Sequence, residues 1–309
     1  RWHREFLEGR PGPIDEVIEM PAVRGVGAAA DEVQDDAAVE DFVGSMRARR
    51  FDLAVQIYGG GQFANPFIKR LGAQVTIGFR APGAPPLDRW IPYEAWRNER
   101  LRMLEAVALA GARPVDLDPR IVVTPRDIAE LSALIELPER PLVVLQPGAT
   151  DVRRRWSPER FAAVGDALAE AGATIVVNGG PGERELTAQV AAAMRAPAID
   201  FEGKLSVSGL VALLAKSRLL VSNDTGPLHL AQALGTPSVG IFWVMNLLSG
   251  QPLVSASHRF AFSARLDCPV CGVQNLHQRC EHEVSFVDDV SVESVRELAL
   301  ERFSAPVQA

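Results

Sequence analysis

Few folds are open to a chain in which two apolar runs, each too short for a helix, flank one short apolar helix; residues 217–243 have this arrangement. Leu219-Leu220-Val221 reads as a buried strand. Asn223-Asp224-Thr225-Gly226 breaks the run, and Pro227 follows where a first helical turn tolerates proline. Leu228, Leu230, Ala231, Ala233 and Leu234 supply a helix that stops at Gly235. Thr236-Pro237 turns the chain into a second buried strand, Ser238 to Phe242. Strand–helix–strand units of this kind build parallel sheets covered by helices.

The chemistry lies where the first strand meets the helix. A helix N-terminus leaves its first amides unpaired and partially positive, so the Thr225 and Gly226 amides, with Pro227 and Leu228 in the same turn, are placed to hold an anion. Gly226 permits close approach of a phosphate, the Thr225 hydroxyl adds a donor, and His229 reaches the same place. The plainer alternative is that Asp224 and Thr225 only cap the helix, with His229 a surface residue.

The pattern repeats upstream. Leu142 to Leu145 reads as a strand ending in Gln146-Pro147-Gly148-Ala149-Thr150, followed by Arg153-Arg154-Arg155 and Trp156. Ser157 then caps a helix with Pro158 in its first turn. Three guanidinium groups at a strand's C-terminal end suit a diphosphate, although such a run is also what a solvated face looks like. Further strands are expected at 173–177 and 198–201 and helices at 183–194 and 206–215; Gly148 is a candidate nucleotide contact, and Asn178, Gly179 and Gly180 are candidate nucleotide contacts or a tight turn. Nearer the start, Leu53 to Ile57 and Val75 to Phe79 read as strands around an Asn65–Leu71 helix. Gly59, Gly60, Gly61, Gln62 and Asn65 there are candidates for close contact with a substrate, or simply for a flexible turn. A strand is expected at 14–20, helices at 31–50, 98–110 and from Thr124, and an irregular aromatic loop at 81–96, either a wall on which a sugar ring could stack or an inter-domain packing loop. The prolines at 138 and 141 set the expected boundary, giving domains 1–138 and 139–309.

A net charge of −7 without a basic block argues against nucleic acid as partner. No apolar run approaches membrane-span length, so a cytoplasmic protein is expected, with at most peripheral contact at the inner face of a membrane. The three cysteines fall between Cys268 and Cys280, too few and too close for a disulfide framework. Cys268, Cys271, Cys280 and His282 are candidate ligands of a structural zinc, with free thiols or one disulfide as the alternative. No cofactor is otherwise required. A last helix is expected at 290–303.

Asp224-Thr225-Gly226-Pro227-Leu228-His229-Leu230-Ala231, followed by Ala233-Leu234-Gly235-Thr236-Pro237, resembles the signature of glycosyltransferase family 9, the ADP-heptose:lipopolysaccharide heptosyltransferase-like family. The stretches at 146–160, 52–79 and 267–287 are similar to it as well. The resemblance implies an α/β, GT-B-like architecture: two Rossmann-like domains whose parallel sheets face a central cleft, the first on the acceptor side and the second holding the donor. It implies inverting transfer from a nucleoside-diphosphate sugar, ADP-heptose in type, to a saccharide or lipopolysaccharide-type acceptor. The 224–229 loop would grip the donor diphosphate, and the final helix would cross back to the first domain. The family's opening strand, loop and helix, whose loop aspartate is a candidate general base in many members, are expected upstream of Arg1, leaving Asp224 as the catalytic candidate in this chain. A binding module without catalysis, or a nucleotide-sugar epimerase of the same architecture, would carry many of the same features.

Overall fold

The computed structural model describes residues 2–201, 203–253, 256–276 and 278–306. The chain divides into two units: Arg1–Glu8 with Ile14–Leu117, and Gly9–Pro13 with Asp118–Ala309.

The first unit contains α1 (Trp2–Leu7), the two-residue strands β1 (Val23–Arg24) and β2 (Gly27–Ala28), α2 (Asp36–Ala48), β3 (Leu53–Gln56), α3 (Ala64–Arg70), β4 (Val75–Arg80), β5 (Arg89–Pro92) and α4 (Glu99–Ala108). Strands β3, β4 and β5 form a parallel sheet in that order. Asp35 caps α2, whose Val39, Val43 and Met46 stripe is buried. Two expectations fail here. Residues 14–20 are irregular and mostly exposed, since their alternating pattern finds no strand to pair with. The 81–96 segment is not wholly irregular: β5 lies within it, and its Pro92 is tolerated because β5 is an edge strand.

The second unit is a six-stranded parallel sheet between two layers of helices. Its elements are α5 (Pro125–Ser132), β6 (Leu142–Gln146), α6 (Pro158–Glu170), β7 (Thr174–Val177), α7 (Arg184–Ala193), β8 (Ala198–Asp200), α8 (Val207–Lys216), β9 (Leu219–Asn223), α9 (Gly226–Leu234), β10 (Ser238–Trp243), α10 (Val244–Gly250), β11 (His258–Ser263) and α11 (Val292–Ser304). The strand order is β11-β10-β9-β6-β7-β8. Every residue of β6, β9 and β10 is buried, which explains why these strands read as unbroken apolar runs rather than alternating ones. One core, around Trp156, Phe161, Ile175 and Phe286, lies under α6, α7 and α11; the other, around Leu213, Leu220 and Phe242, lies under α5, α8 and α9. Helix α9 ends as expected at Gly235, whose φ of 72° is left-handed and open to glycine at little cost.

The division between units falls ahead of the boundary expected near residue 138. Thr124 and Asp127 form a capping box that starts α5, and α5 packs on α8 with Leu131 in the second unit's core. The final helix packs on α6, β10 and β11 of its own unit. The Gly9–Pro13 segment does join the second unit: Arg10 forks onto Asp127 at 2.7 and 2.8 Å, with both side chains buried. Strand β11 was not anticipated; it is an edge strand whose Phe260 and Phe262 are exposed.

Candidate active site

All strands of the larger sheet run parallel, so the loops following them share one edge. The chain builds outward from β6 to β8, returns, and builds outward again from β9 to β11, so the strand order reverses between β6 and β9. Loops diverge at such a switch point and leave a crevice. The two loops flanking it are those singled out in the sequence: Pro147–Trp156 after β6 and Asp224–Gly226 after β9.

Asn223 fastens them together. Its side chain is fully buried, accepts from the Trp156 amide at 3.2 Å and donates to the Pro147 carbonyl at 2.7 Å. Trp156, also fully buried, packs edge-on against Phe161 and donates its indole N–H to Val290 at 3.0 Å. With both ends of the β6 loop pinned, the three arginines between them point in different directions. Residues Val152–Arg154 form one turn of 3-10 helix, in which successive side chains stand about 120° apart. Arg153 turns inward, pairing with Asp151 at 2.6 Å and with Asn275 at 3.0 Å. The Arg153 hydrogen bonds, opposed by burial, bring the Asp151 carboxyl down to about 2. Arg155 donates to the Ala149 carbonyl at 2.9 Å and stands 3.8 Å from Glu183.

Arg154 alone faces the β9 loop. Its Nη1 donates to the Asp224 carboxylate at 3.0 Å and carbonyl at 3.2 Å, while Nε and Nη2 have no partner among the described residues. The other carboxylate oxygen of the buried Asp224 lies 3.4 Å from Nε2 of the half-exposed His229. Thr225 occupies the N-cap of α9 in extended conformation, yet its side chain makes no capping bond. Its hydroxyl therefore remains available, in contrast to the plain capping alternative. The edge thus gathers one guanidinium with free donors, one imidazole and one helix N-terminus around a buried carboxylate. An anion can be held here by charge and by directed N–H groups together.

Other candidates are placed differently. A side chain on Gly148 would meet the Glu183 carboxylate at 2.1 Å, so that carboxylate covers the glycine. Glu183 also accepts from the Gly180 amide at 2.8 Å, and Gly179 faces Thr187. Asn178 is buried and donates to Gln146 at 2.7 Å, leaving its own carbonyl oxygen without a partner. In the first unit Asn65 is fully buried and ties Phe79 to Pro85, with Gly61 packed on its amide; Gly59 is open and Gln62 exposed, while Gly60 abuts Ala81 and Tyr93. Cys268, Cys271, Cys280 and His282 do come together, their ligand atoms all within 4.8 Å of one another. Burial pushes the Cys280 thiol up, but hydrogen bonds involving His282, Asn275 and Cys268 outweigh it and bring it to about 6.

Sequence reasoning passed over Asn223, which it read only as a strand breaker, and Gly250 at the end of α10. An added Cβ on Gly250 would lie 3.4 Å from the His229 ring and 3.5 Å from the Asp224 carboxylate, so this glycine closes on the constellation. The polar Asn223 ending an apolar strand was the available signal for the first; nothing in the sequence marks the second.

Two units of parallel strands and helices, the larger with its polar cluster at the switch point, place the chain in the GT-B class of glycosyltransferase fold. The sequence matches the family model of glycosyltransferase family 9 (heptosyltransferase) over residues 40–263, and the chain belongs to that family. It is 30% identical over 113 residues to lipopolysaccharide heptosyltransferase 3 of Escherichia coli, a match covering 36% of this chain and 33% of that protein. The match to lipooligosaccharide heptosyltransferase 2 of Haemophilus influenzae is 26% identical over 136 residues, covering 41% of this chain and 39% of that one. The matched stretches thus span between a third and two-fifths of these relatives. Among solved structures, the ADP-heptose LPS heptosyltransferase II of E. coli superposes with a TM-score of 0.64 at 19% identity, covering 87% of this chain and 81% of that one. E. coli heptosyltransferase WaaC with ADP does so at 0.58 and 17% identity, covering 89% and 80%.

Proposed function

We propose that this chain is a heptosyltransferase-like enzyme that transfers a sugar from a nucleoside-diphosphate sugar, ADP-heptose in type, to a saccharide or lipopolysaccharide-type acceptor with inversion. The observation that carries the proposal is the Arg154–Asp224–His229 constellation at the N-terminus of α9. Transfer makes the departing diphosphate more negative, so donors preorganised at the leaving group favour the transition state over the ground state. Arg154 meets the diphosphate with its two free nitrogens while Asp224 fixes the guanidinium plane. His229 and the Thr225 and Gly226 amides approach from the α9 side. Asp224 acts in this scheme as a positioning residue, since its carboxylate is already engaged by Arg154 and His229. The ADP held by one solved relative of the same fold supports an adenine donor. The first unit, with Gly59 and Gln62 open to solvent, supplies the acceptor side. Among the described residues no helix is long and apolar enough to cross a membrane.

The test is a thermal-shift titration with ADP, UDP, GDP and CMP. A ligand at about a hundred times its dissociation constant adds about 2.7 kcal/mol of stability. A selective rise with ADP is expected; no rise with any nucleotide would remove the donor site. Release of ADP from ADP-heptose only when a lipopolysaccharide core acceptor is added separates transfer from epimerisation.

A further inference from the structure

The cysteine-rich segment between β11 and α11 has little regular structure: among its described residues the only pairing is one isolated bridge, Asp267 to Gln274. Yet it packs closely against the turn that presents Arg154. The Phe286 amide donates to the Arg153 carbonyl at 2.7 Å and the Ser285 hydroxyl to the Arg155 carbonyl at 2.7 Å. We propose that Cys268, Cys271, Cys280 and His282 bind one structural zinc ion, which clamps this segment and so braces the Asp151–Arg155 turn.

Geometry and donor chemistry agree. Zinc–sulfur bonds of about 2.3 Å in a tetrahedron place ligand atoms about 3.8 Å apart. The four ligand atoms already lie within 4.8 Å of one another, so small rotamer changes close the site. The turn Cys268-Pro269-Val270-Cys271-Gly272 is built to aim two thiols at one point. The Gly272 amide donates to Cys268 at 2.8 Å, the Cys268 amide to Val273 at 2.9 Å, and Gly272 takes the left-handed φ of 71° that the tight return requires.

A second observation points to a missing partner. Nδ1 of His282 is buried without a hydrogen-bond partner, a costly condition for a polar ring atom, in a residue that lies with three free cysteines. A disulfide would engage two sulfurs and leave the imidazole as it is. A cation engages all four groups.

Three thiolates around Zn2+ leave one net negative charge. It is met through Asn275, whose Nδ2 donates to the Cys280 sulfur at 3.6 Å while its Oδ1 accepts from Arg153 at 3.0 Å. The Arg153 guanidinium thus belongs to the shell around the ion, as outer partners of metal ligands commonly do. A set of three sulfurs and one nitrogen in a closed tetrahedron selects zinc over the hard cations, and the absence of an open position suits a structural role.

The test uses the whole chain purified without chelators from zinc-supplemented medium. One zinc per chain by elemental analysis is expected, released by a chromophoric chelator, and replaceable by cobalt with the visible absorption of tetrahedral cobalt–thiolate coordination. Cys271→Ser, at an exposed position, is expected to keep its far-UV circular dichroism and lose at least about a hundredfold in zinc affinity. Amide deuterium exchange at residues 151–155 and 286 is expected to quicken in that variant and in chelated wild-type protein. Metal-free protein, a disulfide found by mass, stoichiometric iron in place of zinc, or unaltered zinc binding by Cys271→Ser would each overturn the site. Unchanged exchange at 151–155 after zinc removal would overturn the bracing role. None of these readouts depends on sugar transfer.

Discussion

Replacing Arg154 with methionine removes the one guanidinium of the triplet that faces Asp224, while keeping much of the side chain's apolar length. Two of its nitrogens have no protein partner among the described residues, so a diphosphate can take both. A hydrogen bond to a charged group contributes about 1.5–3 kcal/mol net, which is about 10- to 150-fold in affinity for ADP. The true loss should sit toward the upper end. Without Arg154 the Asp224 carboxylate, 7% exposed, keeps only His229 at 3.4 Å and turns its charge on the incoming phosphates. Arg153→Met is the contrasting variant. Its guanidinium is committed to Asp151 and Asn275, so the change should lower the melting temperature and weaken ADP much less. Isothermal titration with ADP, beside melting curves for both variants, measures the two effects separately. Near-wild-type ADP affinity in Arg154→Met, with a large loss in Arg153→Met, would refute the assignment of the triplet.

Asn223→Ala deletes both cross-links between the β6 and β9 loops in a fully buried place and leaves the Trp156 amide and Pro147 carbonyl unpaired; a loss of about 2–4 kcal/mol is expected in urea unfolding, together with weaker ADP binding. Asn223→Asp should restore part of the stability through the Trp156 bond alone. Arg10→Met strands a buried carboxylate and should cost about 3–5 kcal/mol at neutral pH. Burial pushes the Asp127 carboxyl up, but Arg10 together with the Thr124 amide and hydroxyl outweighs it and holds it below the usual range. Its contribution is therefore full above about pH 4, the unfolded value, and is lost as pH falls through the lower folded one. The gap between wild type and Arg10→Met should accordingly be widest near pH 7 and narrow in acid; a gap that widens in acid would contradict the pairing.

The second unit was largely legible because its strands are buried on both faces and its helices carry strong punctuation. Ser157-Pro158, Thr124-Pro125 and Gly235 each mark an end by a local backbone rule that tertiary structure had no reason to override. Strand β11 escaped because an edge strand with outward Phe260 and Phe262 shows neither clean alternation nor a continuous apolar run. The 14–20 segment shows the reverse error, a strand-like pattern without a neighbour to make it a strand. Within the site, the sequence presents three equivalent arginines, and only the 3-10 turn and the clamp of Asn223 on its flanks decide which one faces Asp224. Asp224 and His229 were visible because helix geometry alone puts residues around an N-terminus together.

The buried pair of Arg10 and Asp127 joins residues 117 positions apart and belongs to the larger unit, although most of the chain between them belongs to the smaller one. That order has a consequence for synthesis. At about 5–20 residues per second, Asp127 leaves the ribosome about 6–23 s after Arg10. For that interval Arg10 is a solvated arginine on an emerging chain, while residues 14–117 follow it out and are complete, and free to fold, before Asp127 appears. The staple closes only behind them. A chaperone that holds residues 9–13 would therefore delay the larger unit while leaving the smaller unit's own residues free.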